Sequence, residues 1–89
     1  MKQAHIFVSG FVQGVGFRQF IKRKARTLRV NGWVKNLPDR RVEAMLQGRM
    51  EDVKKMILLC KKGPFLSQVQ DVQVLWEESE KEYTDFEVY

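Results

Sequence analysis

Gly10-Phe11-Val12-Gln13-Gly14-Val15-Gly16-Phe17-Arg18 is the stretch on which the reading of this chain turns. It closes an alternating segment, Ala4 to Gly10, in which Ile6 and Val8 interleave with His5, Phe7 and Ser9. A period of two is that of a half-buried strand. It leads into Phe17, Phe20, Ile21, Ala25 and Leu28, whose three- and four-residue steps predict an amphipathic helix with its basic residues outward. Strand, glycine loop and helix mouth together suit a small anion. Glycine lets successive main-chain N–H groups turn toward one point, because it lacks the Cβ that forbids φ > 0. A helix start adds unpaired N–H groups and the positive end of the macrodipole. Arg18 can clamp a tetrahedral oxyanion bidentately, with a charge that does not titrate near neutrality. Taken on its glycines alone, a plain bend with a solvated arginine is an equal reading, since short motifs match by chance. The stretch lacks the terminal Gly-Lys-Ser or Gly-Lys-Thr of a nucleotide P-loop, and Gly10, Gly14 and Gly16 lack the dinucleotide spacing. It therefore suggests a phosphate with no nucleotide attached.

Working outward, Asn31-Gly32 is expected to close the first helix, and Trp33 to Leu37 to form a short strand. Pro38-Asp39-Arg40 reads as a turn, with Val42 to Leu46 returning as the next strand. Glu51 and Asp52 open a second helix, where the dipole favours acids. Val53, Met56, Ile57 and either Leu59 or Cys60 supply its buried stripe, and Lys61-Lys62-Gly63-Pro64 ends it. Val72, Val74 and Trp76 alternate as a fourth strand, and Phe86 with Val88 marks a short last one. The order is βαββαβ plus a terminal strand, an α+β sandwich with both helices on one face of an antiparallel sheet. Residues 1–89 are expected to form one domain.

That order places a second residue. A helix joining two strands returns the chain in the same direction, so both strands end at one edge of the sheet. With one strand between them they stand about 10 Å apart. Asn36 ends the second strand and so faces the glycine loop and Arg18. It shares a face with Val34, and a buried Val34 puts Asn36 on the helix side. An amide there can hold water against a bound phosphate; equally, asparagine often satisfies the turn that follows it.

Composition narrows the class. The chain has 89 residues, 44% of them hydrophobic, enough for one small core with little surplus stability. Cys60 is the lone cysteine, so no internal disulfide is possible, which fits a reducing compartment. It has no evident base and reads as an ordinary helix residue. No apolar run approaches a membrane span and no signal peptide is evident, so the expected location is cytoplasmic. Nothing calls for more than a monomer. Nine of the 16 Lys and Arg lie between Arg18 and Arg41 against one acid, Asp39, and six of the 11 acids lie from Glu77 to Glu87. A basic half can steer an anionic substrate inward or bind nucleic acid, although most single charges are simply solvated.

The glycine loop, Gly32-Trp33-Val34-Lys35-Asn36, the hairpin strand ending near Gly48 and the later Gly63-Pro64 together closely resemble the acylphosphatase family. The resemblance covers essentially the whole chain, and its first motif, Gly-x-Val-x-Gly-Val-x-Phe-Arg, is matched at every specified position. It implies a ferredoxin-like fold and hydrolysis of an acyl phosphate to carboxylate and inorganic phosphate. It further implies that Arg18 and the main-chain N–H groups of Gln13, Gly14, Val15, Gly16, Phe17 and Arg18 hold the phosphoryl oxygens, while Asn36 positions the attacking water. No metal, cofactor or covalent intermediate is expected, in keeping with the lack of a carboxylate cluster for magnesium or a Cys/His set for zinc. The resemblance further implies a last edge strand near the site, which would let the carboxylate of Tyr89 pair with Arg18 and hold its rotamer. One departure stands out: Arg40 occupies a turn position that is usually glycine in the family; either the turn requires φ > 0 there, which costs an arginine on the order of 1 kcal/mol, or it has a different shape.

Two rival functions compete with this one. A basic nucleic-acid-binding module would need aromatic side chains exposed on the central strands, and Val42-Glu43-Ala44-Met45-Leu46 has none. Trp33 and Phe7 read as covering the open sheet face instead. A non-catalytic phosphate or acyl-phosphate sensor would have no need of Asn36 beside Arg18. The enzyme ranks above both.

Overall fold

The structure is a computed structural model describing residues 1–89. Five strands and two helices follow in the order β1 (Lys2–Phe11), α1 (Phe17–Leu28), β2 (Asn31–Asn36), β3 (Val42–Gln47), α2 (Met50–Lys62), β4 (Gln68–Glu78) and β5 (Phe86–Val88). The sheet order is β4-β1-β3-β2-β5. The alternation in β1 behaves as the pattern requires, because Ala4, Ile6 and Val8 are buried while His5 and Phe7 face the other way and are half-buried. Phe17, Phe20, Ile21 and Ala25 of α1 and Val53, Met56, Ile57 and Cys60 of α2 meet the same side of the sheet in one core. Both helices therefore cover one face, giving the ferredoxin-like α+β architecture.

The sheet is mixed rather than wholly antiparallel. The first four strands pair antiparallel, but β5 runs parallel to β2 along Gly32↔Phe86 and Val34↔Val88. The cause is topological. β4 runs opposite to β2, so a chain that reverses after β4 and crosses to the far edge comes back in the direction of β2. The crossing segment is anchored by buried amides: Gln47 donates to Lys81 O at 2.7 Å, and its Oε1 accepts from Tyr83 N–H at 3.0 Å. Gln47 also donates to Gln3 Oε1 at 2.8 Å, so both of these buried polar side chains are satisfied.

The end of α1 also departs from the pattern. Arg29, not Asn31-Gly32, takes the left-handed conformation that stops the helix, with φ 57°. Val30 N–H closes onto Ala25 O at 2.8 Å and buries its side chain, as this kind of helix end favours. Asn31 and Gly32 are already the first residues of β2. Gly32 has φ 145°, and a Cβ there would stand 1.8 Å from Met45 O, so only glycine lets the backbones come this close.

On the open face, His5 lies between Glu43 (Nε2 to Oε2, 2.6 Å) and Glu77 (Nδ1 to Oε2, 3.3 Å), with Phe7 and Trp33 packed beside it. It is a structural residue, well away from the glycine loop. Cys60 is fully buried, and burial pushes its thiol up to about 12, which suits a packing role. No helix is long and apolar enough to cross a membrane.

Candidate active site

The register of the sheet sets the geometry. Val8 of β1 and Asn36 of β2 both pair with Val42 of the intervening β3. The three residues form one row, and because Val8 and Val42 are buried beneath the helices, Asn36 also points to that side. The carboxyl ends of β1 and β2 therefore meet at one edge, where the chain leaves β1 for the loop.

That loop is shaped by two left-handed residues, Gly14 at φ 76° and Gly16 at φ 77°, the latter serving as N-cap of α1. Nothing lies within 4 Å of where either Cβ would be, so the requirement is for backbone conformation and the space above the loop stays open. Gly16 supplies no side-chain cap, and the first turn of α1 contains no acidic residue. The first bond of the helix is Phe20 N–H to Gly16 O at 3.0 Å. Consequently no main-chain N–H from Gln13 to Gln19 has a main-chain acceptor within the protein. These donors sit at the positive end of α1, an anion-binding arrangement by charge as well as by hydrogen bonding.

Two side chains complete the enclosure. Arg18, half-buried in the first turn of α1, donates from Nη1 to the main-chain oxygen of Tyr89 at 2.7 Å. Tyr89 is itself held by its N–H to Val34 O at 2.9 Å, so the edge strand β5 steadies the guanidinium. Asn36 Oδ1 is buried and has no hydrogen-bond partner. An unsatisfied buried carbonyl costs about 1–3 kcal/mol and invites a donor from outside the protein. A cavity of about 160 Å³ joins these groups, lined by Val12, Gly14, Gly16, Phe17, Arg18, Gln19, Asn36 and Val88. That is smaller than the roughly 300–1,000 Å³ of sites for drug-sized ligands, and suits a small ion with water.

Of the residues singled out from sequence, Gly14, Gly16, Phe17, Arg18 and Asn36 come together on this cavity. Gln13 and Val15 belong to the loop but do not line it. Val15 packs on the core, and the Gln13 side chain reaches the β2–β3 hairpin. Val12, Gln19 and Val88 were not anticipated. Val12 follows from burial of an apolar loop residue, but Val88 reaches the site only through the parallel pairing of β5, which no local pattern announces. Arg40 has φ 77°, so the turn keeps the left-handed conformation that favours glycine. Its N–H closes on Leu37 O at 3.1 Å, and Asp39 braces the turn through Arg41 N–H at 3.1 Å. No three His, Cys, Asp or Glu side chains gather in a metal-binding cluster.

Comparison with known proteins gives a consistent result. A family model described as Acylphosphatase matches residues 4–88. A protein of Chloroflexus aurantiacus named Acylphosphatase is 50% identical over 76 residues, covering 85% of this chain and 83% of that protein. One of Roseiflexus sp. with the same name is 44% identical over 88 residues, covering 99% and 95%. The crystal structure of acylphosphatase from Bacillus subtilis superposes with a TM-score of 0.96 at 36% identity, covering 100% of this chain and 99% of that one.

Proposed function

Because the chain belongs to the acylphosphatase family, whose members act on acyl phosphates, we propose that it hydrolyses the carboxyl–phosphate bond by direct attack of water on phosphorus, using Arg18 and Asn36. The observation that carries this reading is the meeting of Arg18, the unpaired N–H groups of the glycine loop and the unsatisfied Asn36 Oδ1 on one small cavity. Arg18 and the main-chain N–H groups of Gly14, Gly16, Phe17 and Arg18, the loop residues that line the cavity, hold the phosphoryl oxygens. Donors already in place where charge develops need no rearrangement during the reaction, and removing one such donor typically costs about 10²–10³ in rate.

Asn36 Oδ1 accepts one hydrogen bond from the attacking water and so aims its lone pair at phosphorus. The bond formed is water oxygen to phosphorus; the bond broken is phosphorus to acyl oxygen, and the electron pair leaves with the carboxylate. No carboxylate or imidazole side chain lines the cavity, and the main-chain oxygen of Tyr89 is engaged by Arg18, so the proton of the water passes to an oxygen of the substrate itself. Positioning and charge stabilisation then carry the reaction, as in phosphoryl transfer generally. The test is turnover of benzoyl phosphate in metal-free buffer. Binding of inorganic phosphate without turnover would leave a sensor in place of an enzyme.

A further inference from the structure

The Gln13 side chain crosses from the glycine loop to the β2–β3 hairpin. Its Nε2 donates to Leu37 O at 2.8 Å and to Arg41 O at 2.9 Å. These two carbonyls are the ends of the turn. Leu37 O already accepts Arg40 N–H at 3.1 Å, and Arg41 O already accepts Leu37 N–H at 2.8 Å. A carbonyl oxygen has two lone pairs, so the amide takes the second position on each and both of its protons are committed. Two bonds to two fixed carbonyls define the amide in both distance and orientation, which one bond cannot do.

What is joined matters more than the bonds themselves. Gln13 precedes Gly14 of the cradle by one residue, and Leu37 follows Asn36 by one. The strut therefore spans from the loop that surrounds the phosphate position to the hairpin that carries the amide opposite. The hairpin needs such bracing, because Arg40 at φ 77° holds a conformation that an L-residue resists and that persists only when neighbours enforce it. Gln13 itself does not line the cavity, so its side chain touches neither substrate nor water there.

We infer that Gln13 is a positioning residue for the hydrolytic reaction: its side chain fixes Asn36 relative to the phosphate cradle, so that the attacking water lies in line with the bond to be broken. This rests on the role proposed for Asn36. Misplacement of a reacting group by about 1 Å can cost 10²-fold, and loosening the strut is a smaller disturbance than that.

The experiment measures kcat, KM and inhibition by inorganic phosphate with benzoyl phosphate as substrate, with thermal melts confirming that each variant is folded. Gln13→Met keeps the length of the side chain and removes both donors; it is expected to lower kcat about tenfold and to change phosphate inhibition less than about twofold. Gln13→Lys restores donors within reach of the two carbonyls and is expected to recover kcat to within about threefold of wild type. In an Asn36→Ala background, Gln13→Met should add less than about a twofold further loss, because the residue acts through Asn36. Should the methionine variant unfold, Gln13→Asn, one carbon too short to span both carbonyls, takes its place. Wild-type kcat in Gln13→Met, or a full tenfold loss in both backgrounds, overturns the inference. If instead Asn36→Ala itself hydrolyses at the wild-type rate, it is the role of Asn36 that fails, and this role of Gln13 goes with it.

Discussion

Replacing Arg40 with glycine should make the protein more stable and leave its catalytic rate alone. Arg40 sits at φ 77° in the turn between β2 and β3, exposed and outside every ion pair of the protein. The left-handed conformation costs an L-residue about 1–2 kcal/mol. Glycine escapes that cost but gives back about 0.4–1 kcal/mol through its freer unfolded chain. No ion pair of the guanidinium offsets the difference, so the net gain centres on about 0.8 kcal/mol. For a domain of this size, 1 kcal/mol moves Tm by about 4–8 °C, so a rise of about 2–8 °C is expected in a thermal melt followed by circular dichroism. Benzoyl phosphate turnover by the same variant should stay within about twofold of wild type, since Asn36 precedes the turn and the strut from Gln13 ends on main-chain carbonyls that the substitution leaves in place. A lower Tm would refute the strain argument. An unchanged Tm with a large loss of kcat would show that Arg40 serves the site directly.

Asn36→Leu removes a buried carbonyl that has no partner, so turnover should fall at least about 10²-fold while Tm does not drop, measured side by side on one preparation. Cys60 should resist Ellman's reagent at pH 8 in the folded protein and react only at the rate of unfolding, because it is fully buried and its thiol is pushed up to about 12. The carboxyls of Asp39 and Glu77 are held below their ordinary values, Asp39 first by Arg41 N–H and Glu77 first by the Gln3 amide. Depressed carboxyls contribute stability above the unfolded-state pKa and lose it as pH falls through the folded one, so denaturation midpoints should be steady near neutrality and decline below about pH 4. Asp39→Asn and Glu77→Gln should each make that decline shallower.

Much of the fold was legible because its signals are local. A period of two in β1, the three- and four-residue steps of α1 and the acids opening α2 each state an element and its buried face. Asn36 was placed by a topological rule, and the shared pairing of Val8 and Asn36 with Val42 gives the rule its physical form. The features that were not legible depend on partners distant in sequence. The parallel pairing of β5 is decided by which edge of the sheet remains free. The end of α1 falls at Arg29 because Val30 gains a buried position there, while Gly32 is required by Met45 O on the neighbouring strand. The destination of the Gln13 amide is likewise invisible until the hairpin stands beside the loop. The φ of Arg40 was legible only as a condition, since the residue type argues against the conformation and the turn imposes it.

Hydrolysis of benzoyl phosphate without added metal, followed by its ultraviolet absorbance for the wild type, Arg18→Ala and Asn36→Ala, tests the central claim most directly. Rapid turnover is predicted for the wild type and a fall of at least about 10²-fold for each variant, with phosphate binding weakened by Arg18→Ala and retained by Asn36→Ala. Near-normal turnover in either variant would contradict the role assigned to that residue and, with it, the proposed reaction.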